Sequence, residues 1–218
     1  MIALHVREIG GLWCGVALEG KRVFATMFAS SERDAFKGLL GELPVNSVFQ
    51  VAQWKDAVAE GVLRAVKSVF DGRDVSFSVE FAMSLLSQYS QRVLRLTSLI
   101  PTGYVTTYGA LAKAAGGSPR AVGRVMATNP FAPLIPCHRV VTASMTLGGY
   151  GGGLKTKWEI LQRENRKYEN VIEAKIDGRT LKLFPISMVR EGTRSPAPTS
   201  ENYSWKGKPP FMEPLSRR

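Results

Sequence analysis

Residues 109–127 read GALAKAAGGSPRAVGRVMA, and this stretch decides the fold class. Its first half is alanine-rich and favours helix. Gly116-Gly117 makes a turn, Ser118 is a good N-cap, and Pro119 falls at the first helical position, where its missing N–H costs nothing. The second helix runs to residue 127, and Asn129-Pro130 stops it. Two short helices joined by a tight glycine turn form a helix-turn-helix pattern. Ala121, Val122, Val125 and Met126 cluster on one face of the second helix, while Arg120 and Arg124, four apart, share another. An arginine face suits DNA, and it equally suits solvent on an ordinary helical hairpin.

Working outward, Val93, Leu94, Leu96, Leu99 and Ile100 give residues 89–100 a helical pattern that Pro101-Thr102-Gly103 breaks. Downstream, the glycine-rich run 148–153 displays Tyr150, and a helix is expected over 155–167 with Trp158, Ile160 and Leu161 as anchors. Residues 171–176 and 180–184 flank Asp177-Gly178, a strong hairpin signal. From about 187 Pro, Ser, Glu, Arg and Lys dominate, as in a loosely ordered tail. Near the N-terminus, residues 12–18 and 23–28 flank Glu19-Gly20-Lys21-Arg22 as hairpin strands. Residues 31–43 have helical spacing, and Val58, Val62, Leu63, Val66 and Phe70 share one helix face. Residues 75–79 alternate as a strand does. The expected fold is α+β. A small N-terminal α/β domain over 1–85, a short antiparallel sheet with helix, precedes a mainly helical domain with the helix-turn-helix over 86–168. A C-terminal extension covers 169–218.

Charge changes at the same boundary. Residues 1–85 hold nine Lys/Arg and ten Asp/Glu; residues 86–168 hold eleven Lys/Arg and two acids, Glu159 and Glu164. A net +9 segment beside a near-neutral one looks built to meet a polyanion, with nucleic acid foremost. The 218 residues contain no run of eighteen apolar residues and no apolar signal core, so no membrane contact is expected. Two cysteines and no CxxC argue against a disulfide framework and against a zinc site, and they fit a reducing cytoplasmic setting. Cys14, inside an apolar strand pattern, reads as structural.

Pro136-Cys137-His138-Arg139-Val140 places one of two cysteines beside one of two histidines. A thiol needs a base, because the thiolate is the nucleophile. Taken alone, the pair leaves Cys137 open between nucleophile and small buried hydrophobe.

Residues 89–164 resemble the catalytic domain of the methylated-DNA–protein-cysteine methyltransferases, the 6-O-alkylguanine-DNA alkyltransferases. The resemblance rests on Pro136–Val140, on Arg120-Ala121-Val122-Gly123 seventeen residues before the cysteine, and on Asn129-Pro130 eight before it. It also rests on Tyr150 in its glycine loop and on Glu164, twenty-seven residues after the cysteine. It implies alkyl transfer from guanine oxygen to Cys137, one event per molecule, without a cofactor. Double-stranded DNA containing alkylated guanine would be the partner of a monomer, in the cytoplasm or at the nucleoid or nucleus. His138 would be the base acting through a bridging water, Glu164 would orient the imidazole, and Asn129 would brace the cysteine turn. The Tyr108 hydroxyl would meet the leaving guanine, and Arg120 would fill the place of the flipped base. Ala121, Gly123 and Arg124 would lie along DNA with Arg139, and the carbonyls of Cys137 and Val140 would read the guanine amino group. Tyr150 and Gly151 would close the pocket; the position matching Gly151 is often serine in the family. A non-catalytic alkylguanine binder would lack Cys137, a helix-turn-helix regulator would not need Glu164 at this spacing, and cysteine hydrolases place their histidine far from the cysteine.

Overall fold

A computed structural model of the chain describes residues 1–52, 55–76, 78–176 and 178–191. Three strands open it: β1 (Ile2–Ile9), β2 (Leu12–Glu19) and β3 (Arg22–Ala29) form an antiparallel meander. The helix α1 (Glu32–Glu42) starts at Ser31, whose side chain accepts from the Asp34 N–H. Next come β4 (Phe49–Val51), parallel to β1, α2 (Ala57–Phe70) with its Asp56 cap, and β5 (Glu80–Phe81), parallel to β3. The sheet order is β4-β1-β2-β3-β5.

Both faces of this sheet are covered. Leu4, Ala17, Ala25 and Leu39 pack on the α1 side, whereas Cys14, Val16, Leu18 and Val23 pack with Val62, Leu63 and Val66 of α2. Two-sided burial explains why β1, buried at four consecutive positions, carries no alternating signal. Cys14 has no exposure and burial pushes its thiol up to about 12, so it serves as an inert small hydrophobe. The strand expected over 75–79 is not found at its described residues, and Phe77 lies outside them. Val75 and Val79 alternate because they pack against the core without a ladder partner; pairing begins at Glu80.

The second half is more mixed than the mainly helical expectation. It contains α3 (Gln88–Ser98), β6 (Tyr104–Thr107), α4 (Tyr108–Ala115), α5 (Pro119–Ala127), β7 (Val140–Val141) and α6 (Leu154–Glu164). Ser118 caps α5 by accepting from the Ala121 N–H at 3.2 Å, as its position before Pro119 predicts. α6 ends three residues earlier than expected, before Asn165 and a positive φ at Lys167. The hairpin is present as β8 (Ile172–Ile176) and β9 (Arg179–Pro185), with Asp177 outside the described residues. β9 pairs with β6 in a second sheet of order β7-β6-β9-β8, so the hairpin is built into the fold. Order also continues past 187: Val189 is buried and Arg190 bridges to Thr146. The remainder of the expected tail, beyond 191, lies outside the described residues. None of the described helices is long and apolar enough to cross a membrane.

The end of α2 abuts the end of α6. Arg163 donates to the Phe70 carbonyl at 2.9 Å and stacks over the Phe70 ring, and Arg166 donates to the Gly72 carbonyl at 2.6 Å. Gly72 has φ +74°, and a Cβ there would lie 2.4 Å from the Arg163 backbone carbon. Gly72→Ala is therefore expected to cost roughly 2–4 kcal/mol, from left-handed strain plus backbone overlap. A denaturant midpoint equal to that of the parent would contradict this packing.

Candidate active site

The cysteine is delivered by a loop held from both ends. Asn129 donates to the Ile135 carbonyl at 2.9 Å and accepts from the Phe131 N–H at 3.1 Å, which closes the loop on itself. β3 clamps it from outside: the Thr26 N–H donates to the Pro130 carbonyl and the Thr26 hydroxyl to that of Ala132. Residues Cys137–Arg139 then form one 3-10 turn. At three residues per turn, successive side chains diverge by about 120°. His138 enters the core while Cys137 faces a cavity.

That cavity measures about 740 Å³ and is bounded by Tyr108, Gly123, Met126, Cys137, Tyr150 and Gly151, among others. A second, about 480 Å³, lies toward β3 and α1 and shares Cys137 and Tyr150 as walls. Tyr150 is half-buried, with its ring edge-on to His138 at 6.5 Å between centroids, and so is less displayed than its glycine neighbours suggest. Tyr108 opens α4 behind its Thr107 cap. Burial, with the Cys137 charge adding, pushes its hydroxyl up to about 12, so it is a donor at neutral pH. Arg120 and Arg124 are exposed on α5, whereas Ala121 and Gly123 are half-buried.

Behind the cysteine lies a buried polar cluster. His138 and Glu164 have no exposure, and the imidazole Nε2 meets Glu164 Oε1 at 3.0 Å. Arg139 grips the same carboxylate with two groups: Nε donates to Oε2 at 2.9 Å and Nη2 to Oε1 at 2.7 Å. Its Nη1 donates to the Ile100 carbonyl and Nη2 also to Thr102. This corrects the expectation of Arg139 at DNA, since the side chain is buried and every guanidinium nitrogen is engaged inward. The carbonyls expected to read guanine are also partly committed. That of Val140 accepts from Lys157 and that of Cys137 from the Val140 N–H, which leaves one lone pair each.

Burial raises the Glu164 carboxyl, but the charge and hydrogen bonds of His138 and Arg139 outweigh it and hold the group at about 2. Burial pushes the His138 imidazole down, against the upward pull of Glu164. Because an ionised carboxylate can only accept, Nε2 carries the proton. Nδ1 is buried and has no partner among the described residues, so its lone pair is free to take a proton. Burial likewise pushes the Cys137 thiol up. The Asn129 side chain, Lys157 and the N–H groups of Cys137 and His138 act in the opposite sense.

Lys157 escaped the reading of the sequence. It is fully buried, and its ammonium donates to the carbonyls of Val140, Leu147 and Gly149 at 2.7, 2.5 and 3.4 Å. Burial lowers it to about 8, with Cys137 pulling upward. The available signal was spacing: Lys157, Ile160, Leu161 and Glu164 form one buried stripe of α6.

The low folded value of Glu164 sets a sign. Its contribution is complete above about 4.5 and is lost as pH falls through about 2. The interval corresponds to roughly 3 kcal/mol. Depressed His138 adds loss in the same direction below pH 6.5. Arg139→Gln removes one partner of a buried pair and is expected to cost about 3–5 kcal/mol at pH 7. Its stability should also fall less steeply on acidification in denaturant unfolding; a profile parallel to the parent's would contradict the assigned pairing.

Residues 88–166 match the family profile described as 6-O-methylguanine DNA methyltransferase, DNA binding domain. The chain is 38% identical over 109 residues to the methylated-DNA–protein-cysteine methyltransferase of Methanothermobacter thermautotrophicus, covering 50% of this chain and 62% of that relative. It thus spans a little under two thirds of that relative's length. The enzyme of the same name from Methanocaldococcus jannaschii is 31% identical over 157 residues, covering 72% of this chain and 90% of the relative. Among solved structures, Mycobacterium tuberculosis OGT in complex with DNA superposes with a TM-score of 0.58 at 26% identity, over 75% of this chain and 92% of that one. With a buried cysteine, histidine and glutamate inside the profile-matched residues and alignment across nine tenths of a relative, the chain belongs to the methylated-DNA–protein-cysteine methyltransferase family.

Proposed function

We propose that the protein repairs DNA by direct reversal, transferring the alkyl group of 6-O-alkylguanine to Cys137 once per molecule. The observation that carries this reading is Cys137 at the cavity wall with the His138–Glu164–Arg139 cluster behind it. The Cys137 proton passes to His138 Nδ1, through water, and the imidazolium is stabilised by Glu164. The thiolate attacks the alkyl carbon: the S–C bond forms, the C–O bond breaks, and the electron pair stays on guanine. The Tyr108 hydroxyl donates toward the guanine ring as that charge develops. The thioether is a poor leaving group, so the thiol is not regenerated, and no cofactor enters these steps.

α4 and α5 are read as the helix-turn-helix, with α5 against the minor groove, where Ala121 and Gly123 permit close approach. Arg120 fills the stack after base flipping and Arg124 meets phosphate. Tyr150 and Gly151 close the pocket, and Asn129 braces the cysteine loop. Residues 1–85 act as the scaffold that clamps the loop through Thr26, and the protein works as a monomer on double-stranded DNA.

Incubation with duplex containing 6-O-methylguanine is expected to add one methyl group to Cys137, seen by intact mass and peptide mapping. No gain, or a gain that survives Cys137→Ala, overturns the proposal. Arg120→Ala should slow transfer from duplex by about tenfold or more, because unstacking costs a few kcal/mol, while sparing transfer from the free alkylated base. Equal losses on both substrates would count against the finger role.

A further inference from the structure

Outside the active site, α3 and the β8–β9 hairpin form a groove of about 790 Å³ with three arginines on it, Arg92, Arg95 and Arg179. All three are exposed, no carboxylate lines the groove, and none of the three forms an ion pair with a described acid. Gln88 supplies a further donor on the same wall, whereas the Gln91 amide already donates to the Leu86 carbonyl. Clustered cations repel, and an uncompensated cluster marks a place where an anion relieves the repulsion. Guanidinium forks in particular match phosphate.

The groove is anchored to the fold. Arg179 donates through Nη1 to the Ala114 carbonyl at 2.8 Å, at the C-terminal end of α4, where helix carbonyls lack partners. The Arg92 guanidinium lies over the Tyr89 ring. Tyr89 in turn packs against Gly117, where a Cβ would sit 2.8 Å from the tyrosine oxygen. Gly117 belongs to the turn that leads into α5. Arg92, on the groove wall, is thus linked through Tyr89 to the turn that precedes α5, the helix carrying Arg120 and Arg124. The hairpin that completes it lies beyond residues 88–166, the part matched by the family profile.

We propose that this groove is a second phosphate-contact surface, gripping the duplex backbone outside the lesion. The inference rests on the reading of α5 as the DNA-facing helix. Base readout is not expected there; the contribution is positional and salt-dependent.

The test compares the parent with the triple variant Arg92→Gln/Arg95→Gln/Arg179→Gln by fluorescence anisotropy across salt. It uses a lesion duplex of roughly 10 base pairs, one helical turn, and one of about 30. If each arginine neutralises one phosphate, the slope of log K against log salt for the long duplex falls by about 2.7. Between 50 and 200 mM salt the variant then loses about 40-fold less affinity than the parent. The short duplex and alkyl transfer from the free base should be unchanged. The triple Arg→Lys variant, which keeps the charge, should restore the slope and exclude misfolding. An unchanged slope on the long duplex overturns the proposal, as does a defect confined to a polyglutamate peptide. Failure of the parent itself to bind duplex or accept alkyl groups would overturn the repair reading instead.

Discussion

Glu164 is a carboxylate with no exposure at the last residue of α6, and it accepts hydrogen bonds from both Arg139 and His138. A buried charge is tolerable only when paired and hydrogen-bonded, and this one is bound on both oxygens. The pairing ties together pieces distant in sequence. Arg139 reaches onward to Ile100 and Thr102 after α3, His138 carries the cysteine turn, and Arg163, one residue before Glu164, locks α6 to the end of α2. The turn between β3 and α6 is thus positioned by electrostatics as much as by apolar packing.

The same constraint shapes the chemistry. A histidine held by a carboxylate is usually drawn toward the charged form, yet complete burial works against it. The outcome is a neutral base whose tautomer is fixed and whose remaining lone pair is unengaged. The cysteine is likewise stored as a thiol and has thiolate-stabilising groups waiting: Asn129, Lys157 and two backbone N–H groups. Such an arrangement keeps the sulfur quiet until a substrate arrives. That suits the single-use transfer proposed for Cys137, in which a thiol lost to oxidation is lost to repair until it is reduced.

What could be read from the chain divides along physical lines. Cys137 and His138 stood out because their residue types are scarce, and Glu164 is one of two acids among eighty-three residues, but it was the family resemblance that joined the three into one site. The Ser118-Pro119 start of α5 and the β8–β9 hairpin were legible because caps and hairpins leave local signals. β1 was hidden by burial on both faces, and the docking of β9 on β6 by the sequence separation of the pair. Arg139 was misassigned and Lys157 was missed for a shared reason. In a basic segment a cation reads as surface, whereas these two are buried and hold the carboxylate and the loop carbonyls. The alternation at Val75 and Val79 recorded packing rather than pairing.

The most direct test of this account is the protonation of His138. The chain has two histidines, so nitrogen-15 imidazole spectra contain two ring systems, separable by a His5→Gln variant. The account predicts that at neutral pH His138 carries a proton on Nε2 and none on Nδ1, and that it stays neutral as pH falls below 6.5. An imidazolium at neutral pH, or the opposite tautomer, would contradict it, because Nδ1 could not then take the proton from Cys137.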